Sequence, residues 1–239
     1  MQIGIIGFGT FGQFMAEHLK SKAGVFVTDI VDKTKEAKKI GVTFTTLDKV
    51  CSKKIVILSV PMSVFVKTLK TIKDKLTPGT LVLDVCSLKI FSCKSMKEIL
   101  PENIEIIGTH PLFGADSAKH SIKNMKLALV NVRSKKISEV QNFCESLGLQ
   151  VFVTSAEDHD KKMAYTQALT HFIGKVAERM KLTRFDVCTK TYEDLMDIID
   201  IIKNDDPRLF SDIQNMNSYA KKVRDQFIKE SEKLNKELN

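Results

Sequence analysis

Two histidines and a serine hold most of the acid–base potential of this 239-residue sequence. His110 closes the apolar run IEIIGTH and precedes PLFGAD. Ser87 and Lys89 follow another apolar run in LVLDVCSLK, and His171 lies within AYTQALTHFIG. An imidazole titrates near neutral pH, so His110 can take a proton from an alcohol as hydride leaves the same carbon. Ser87 can orient that imidazole or bond a substrate hydroxyl. His171 falls one helical turn after Gln167 on a face that otherwise reads as apolar, where a core or interface histidine is the commoner case. His159 and Asp160 read as the start of that helix and a cap for it. His18 and His120 read as surface residues. The five cysteines (Cys51, Cys86, Cys93, Cys144, Cys188) form no C-x-x-C pair and no metal-ligand spacing, so free thiols and metal-free chemistry are expected.

A second feature is Gly7-Phe8-Gly9-Thr10-Phe11-Gly12, a G-x-G-x-x-G between an apolar run and an amphipathic one. Alone it is a weak signal. Strand before, helix after and an acidic residue closing the next strand make it a dinucleotide cradle. Gly7 permits the tight turn, Gly9 lets a pyrophosphate approach the backbone, and Gly12 lets helix and strand pack closely. Thr10 and Phe11 open the helix whose unpaired N–H groups face the phosphates. Asp29 stands seventeen positions after Gly12, in VFVTDIVDK. A carboxylate there accepts from both ribose hydroxyls of NAD and repels the 2′-phosphate of NADP. The spacing therefore favours NAD, with NADP possible because Lys33 and Lys35 lie nearby.

These residues need a scaffold, and the pattern supplies one. Strands are expected over 2–6, 25–29, 55–59, 81–85, 104–109, 127–132 and 151–153. Helices are expected over 11–22, 33–40, 63–75, 89–100 and 134–147. Continuous apolar strands alternating with helices indicate an α/β fold, a Rossmann-type doubly wound parallel sheet. Ser87 and His110 then sit just past strand ends, where such folds bind ligands. Strand signals stop after about Ser155. One long helix over 157–180 and further helical stretches over 192–203 and 207–238 follow. The expected division is a dinucleotide-binding domain over 1–154 and an all-helical substrate and dimerisation domain over 155–239.

Composition is that of a globular chain, 43% hydrophobic and 28% charged. The net charge of +8 comes from scattered lysines without a basic–aromatic block, so neither nucleic acid nor membrane is an expected partner. No apolar run reaches transmembrane length, and with a strand at the start of the sequence no presequence is expected. A cytoplasmic homodimer acting on a small molecule is expected.

The segments GFGTFGQFMA, SVPMS, DVCSLK, GTHPLFGADS, AEDHDKKMAYTQALTHFIG, TKTYEDL and the spaced Pro207, Leu209-Phe210 and Asn217 occur in one order along the chain. In these the sequence resembles the prephenate/arogenate dehydrogenase family, and most of all its compact plant-type arogenate dehydrogenases. The resemblance implies oxidative decarboxylation of a cyclohexadienol in tyrosine biosynthesis. It implies His110 as the base on the ring hydroxyl, with Ser87 bonding that histidine and the hydroxyl. It further implies His171 and Gln167 on the substrate and Ser59, Val60 and Pro61 beside the cofactor. Bacterial prephenate-type relatives carry an Arg after the tyrosine of the later helix; here Glu193 follows Tyr192. An acidic residue before the last long helix goes with arogenate preference in the plant type, and Asp205 falls there. NADP-preferring plant enzymes carry Ser-Arg where this chain has Asp29-Ile30. Lys89, Arg184 and Arg208 remain as candidate partners for the substrate carboxylate. The competing readings are a β-hydroxyacid or imine dehydrogenase, which wants a catalytic Lys on the long helix, and a non-catalytic NAD-binding dimeric module.

Overall fold

The computed structural model of the chain describes residues 1–118, 120–204 and 206–238. They form two compact units, Met1–Ala156 and Glu157–Asn239.

The first unit is an α/β sandwich. Its strands are β1 (Gln2–Ile6), β2 (Gly24–Thr28), β3 (Thr43–Phe44), β4 (Ile55–Leu58), β5 (Leu81–Asp84), β6 (Glu105–Pro111), β7 (Lys126–Arg133) and β8 (Gln150–Val153). They join one sheet in the order β3-β2-β1-β4-β5-β6-β7-β8. Every neighbouring pair is parallel except β6 and β7. The strand order reverses between β1 and β4, and a crevice at such a switch is where doubly wound sheets take ligands. The helices are α1 (Thr10–Leu19), α2 (Thr34–Ile40), α3 (Leu47–Cys51), α4 (Met62–Ile72), α5 (Lys89–Ile99) and α6 (Ile137–Ser146).

Both faces of the sheet are packed. Met62, Phe65, Leu69 and Ile72 recur at three- and four-residue spacing, so α4 buries one stripe with Val50, Leu88 and Met96 against Val56, Leu58 and Val82. On the other face Ala16 and Leu19 of α1, Ala37 of α2 and Val140 of α6 cover Ile3, Ile5, Val27 and Leu129. Each fully buried Leu, Ile or Phe stabilises by about 1.5–3 kcal/mol relative to exposure. These clusters fix the strand ends to within the tolerance a site needs.

The expected parallel sheet is corrected at β7, which runs antiparallel to β6. A strand buried on both faces reads as the same apolar run in either direction. The two-residue β3 and five-residue α3 are also additional, too short to show a period.

The second unit is all-helical: α7 (Ala156–Met163), a π-helical segment (Ala164–Leu169), α8 (Thr170–Arg179), α9 (Lys190–Asn204), α10 (Pro207–Asn215) and α11 (Ala220–Glu237). Two expectations are corrected here. The helix over 157–180 is not uniformly α, because a π segment widens the turn around Gln167. The stretch 207–238 is two helices. Between them the buried Asn217 donates from Nδ2 to the Asp160 carbonyl at 2.9 Å and accepts the Tyr219 N–H at 3.0 Å. Asn competes for backbone groups in this way, which ends a helix. Gly174 lets α8 approach α9, since a Cβ there would run into the Ile202 side chain. Among the described residues no helix is long and apolar enough to cross a membrane.

Candidate functional site

The glycine turn is built for close approach. Gly7 has φ +96, and a Cβ on it would run into the Ser59 carbonyl oxygen. A Cβ on Gly12 would meet the Gly7 carbonyl oxygen, so α1 lies directly on the end of β1. The Ser59 N–H donates to the Ile6 carbonyl at 2.8 Å, and the Gly7 N–H to Thr28 at 2.9 Å. Ser59 and Val60 are thereby brought against Gly7, with Pro61 next in the chain. Gly9 caps α1 without a side chain, so Thr10, Phe11 and Gly12 begin a helix whose first N–H groups no side chain satisfies. A cradle that a Cβ would fill and an uncapped helix start fit a dinucleotide pyrophosphate.

Asp29 follows β2 directly. Its Oδ2 accepts the Phe8 N–H at 2.6 Å and its Oδ1 the Val31 N–H at 3.1 Å. It does not cap α2; Asp32, which accepts the Thr34 N–H at 2.9 Å, stands there instead. The glycine turn and Asp29 are thus one hydrogen-bonded unit. Ile30 beyond it is fully exposed, and no cation stands at that position. The Lys33 ammonium is held by Glu36 at 3.3 Å.

At the same edge of the sheet lie Ser87 and His110. β1, β4, β5 and β6 are parallel neighbours, so their carboxyl ends share that edge. His110 is 4% exposed and pairs across to Ala128 of β7; Ser87 is half-buried in the turn between β5 and α5.

Beneath them is a charged pair that sequence reasoning missed. Asp84 and Lys89 are both fully buried, with Lys89 Nζ 2.5 Å from Asp84 Oδ2. The ammonium also donates to the Thr109 carbonyl at 2.5 Å, and Asp84 Oδ1 accepts the Thr109 N–H at 3.1 Å. The Thr109 hydroxyl donates to the Asp84 carbonyl. Burial pushes the Lys89 ammonium down, while the Asp84 carboxylate, together with the Cys86 and Cys93 sulfurs, raises it above the ordinary lysine range. Burial, reinforced by Asp84, drives the Cys86 thiol well up, so it is no nucleophile. Lys89 is therefore corrected as a candidate partner for substrate. The signal was an acidic residue ending a four-residue buried strand, with a lysine five positions later.

His18 is likewise corrected from a surface residue. Its ring lies 4.5 Å from that of Phe14, its Nε2 is buried without a hydrogen bond, and burial lowers its pKa. It helps line a cavity of about 190 Å³ between α1, α6 and the sheet, together with Phe11, Phe14, Phe113 and Phe143. The lining is mostly apolar, with His18, Thr109, Lys136 and Glu139 as its polar members.

In the second unit, His171 Nδ1 bonds the Gln167 carbonyl at 2.9 Å within the π segment's last turn. The Gln167 Oε1 is buried with no hydrogen-bond partner. π-Helical turns recur at functional sites because they free backbone and side-chain groups from the α pattern. His159 and Asp160 are buried and bonded to each other at 2.7 Å, inside α7 rather than at its cap. Asp206 caps α10 and pairs with Arg208, while Arg184 bridges Asp197 and Asp200 at 2.7 Å each. Asp205 lies outside the described residues. Among the described residues no cluster of three metal-ligating side chains occurs.

Two family models together match most of the chain. A model described as prephenate dehydrogenase, nucleotide-binding domain, matches residues 15–153, and one described as prephenate dehydrogenase, dimerization domain, matches 155–239. Arogenate dehydrogenase 1, chloroplastic, of Arabidopsis thaliana is 32% identical over all of this chain and 39% of its own length. A probable arogenate/prephenate dehydrogenase of Methanocaldococcus jannaschii is 31% identical over 98% of this chain and 56% of its own. The chain thus spans about two fifths and just over half of these two relatives. Among solved structures, prephenate dehydrogenase from A. aeolicus, in complex with hydroxyphenyl propionate and NAD+, superposes with a TM-score of 0.81 at 23% identity, covering 99% of this chain and 90% of that one. Synechocystis arogenate dehydrogenase gives 0.74 at 18% identity, covering 98% and 90%.

Proposed function

The chain belongs to the prephenate dehydrogenase family, and we propose that it oxidatively decarboxylates arogenate, with prephenate as the second candidate, using NAD. One observation carries the reading: the glycine cradle and the buried strand-end His110 share one edge of a single sheet.

His110 takes the proton of the ring C4 hydroxyl, and Ser87 holds the hydroxyl and the imidazole in line. The bound nicotinamide supplies the acceptor for the hydride that leaves C4. The ring carboxylate departs as CO₂, and the electron pair it leaves completes an aromatic ring. Burial of His110 keeps water away from the reacting groups. Gln167 and His171 are assigned to substrate binding on the family resemblance; a buried amide oxygen lacking a donor suits an ammonium group.

Two observations favour arogenate and NAD. Glu193 stands where prephenate-type relatives have Arg, a departure from prephenate-type binding, and Arg184 and Arg208 are both engaged by aspartates. Asp29 and the uncharged Ile30 stand where NADP-preferring plant enzymes carry Ser-Arg, and the nearby Lys33 is held by Glu36. Asp205 is assigned to the substrate ammonium on sequence position alone. A hydroxyacid or imine reductase mechanism is disfavoured because Lys175, the lysine it would use, is paired with Glu178 at 2.6 Å. The helical unit, whose matching family model is described as a dimerization domain, is assigned to a homodimer.

The test is NADH or NADPH formation with arogenate and with prephenate, each with both cofactors. Arogenate with NAD should be the best pair, by about tenfold or more in kcat/KM, a difference of ~1.4 kcal/mol in transition-state binding. A preference for prephenate would reverse the substrate assignment, and no turnover with either would reject the reaction.

A further inference from the structure

We infer that the buried Asp84–Lys89 pair is a positioning device for His110, acting through Thr109; this rests on the dehydrogenase reading above. A lysine with no exposed surface is uncommon, and removing one partner of such a pair is costly. A pair that served stability alone could lie anywhere in the core. This one takes the Cys86 N–H on Asp84 Oδ2 and makes three further bonds to a single residue, the one before the base. Lys89 binds the Thr109 carbonyl, Asp84 Oδ1 binds the Thr109 N–H, and the Asp84 carbonyl receives the Thr109 hydroxyl. The backbone N–H, carbonyl and side chain of Thr109 are therefore all held by two residues of the β5–α5 connection.

The sequence makes room for this arrangement. Gly108 precedes Thr109, and a Cβ there would run into Cys93 Sγ and lie 3.5 Å from Lys89 Cδ. Glycine at 108 thus leaves room for the Cys93 thiol, while the lysine stem lies at ordinary contact distance. Ser87 lies between Asp84 and Lys89 in the chain, so the same pair that fixes the peptide leading into His110 also brackets the turn bearing Ser87. β5 and β6 pair in register only as far as Leu83 and Ile107. Beyond that point the side chains of Asp84 and Lys89 replace the ladder in setting the distance between the two strand ends. An imidazole and a hydroxyl that must share one proton path need that distance held to a fraction of an ångström.

The neutral double variant Asp84→Asn/Lys89→Met and the milder Thr109→Val test this, with Thr109→Ser as the conservative rescue. The wild type is first assayed for turnover. In T109V, kcat should fall roughly 10-fold or more with KM for NAD and for substrate within about twofold, and T109S should restore it. The double variant, if it folds, should lose roughly 100-fold in kcat at unchanged NAD affinity. The imidazole ¹⁵N titration of His110 in the cofactor-free protein should shift in T109V and return in T109S. A merely structural pair would lower the melting temperature and leave kcat, the pH profile and the His110 titration as in wild type. A folded T109V with wild-type kcat and titration overturns the inference while leaving the dehydrogenase reading intact. An inactive wild type rejects that reading and this inference with it.

Discussion

At the scale of single residues, the proposed chemistry rests on His110. It is buried at a strand end, on the same sheet edge as the glycine cradle, and general-base catalysis is worth roughly 10²–10⁴ in rate. His110→Asn should therefore lower kcat by about that factor while NAD binding, read by fluorescence titration, stays within about twofold. Retained turnover would remove His110 from the base role. His110 and Ser87 were legible from the sequence because each follows an apolar run of strand length. Asp84 was not, because a lone acidic residue at a strand end looks the same whether it meets water or a buried ammonium. Only the folded chain shows that Lys89, twenty positions before Thr109, reaches that carbonyl.

At the scale of elements, the β1–α1 junction is the most constrained. A Cβ on Gly12 has backbone, not a flexible side chain, to displace, so α1 itself must move. Gly12→Ala should weaken NAD binding about tenfold or more and lower stability by about 1–3 kcal/mol, measured by titration and denaturant melts. A variant that binds NAD as tightly as wild type would show that the junction has slack. Farther along α1, burial depresses the His18 pKa below its ordinary 6.5. The unfolded chain then takes up a proton near pH 6.5 that the folded one resists. This contribution to stability is whole above 6.5 and is lost as pH falls through the folded value. His18→Leu should flatten the fall in melting temperature between neutral and mildly acidic pH, and an unchanged slope would assign that fall to other groups. Periodicity revealed most elements but not the π segment, since one widened turn within a helix leaves the apolar spacing almost unchanged. The break at Asn217 was hidden for a related reason: its neighbours continue a helical pattern, and the tie to Asp160 spans 57 positions.

At the scale of the whole molecule, the sheet order, the two units and the match to both family models agree on a dinucleotide-binding unit followed by a helical one. The helical unit leaves Tyr165, Met180, Phe185, Val187 and Leu234 exposed around a small core of Ala177, Met196 and Ile199. Such a unit has apolar surface to spare for a second copy. Sedimentation equilibrium should give twice the 26.9 kDa chain mass, and a single-chain mass at micromolar concentration would contradict the homodimer. The central claim concerns the reaction, and its most direct test is stoichiometry. Arogenate and NAD are incubated with the protein, and NADH, CO₂ and aromatic product are quantified together. Equal amounts of all three are expected, because hydride loss at C4 and loss of the ring carboxylate are one aromatising event. NADH formed without matching CO₂, or neither formed at all, would contradict it.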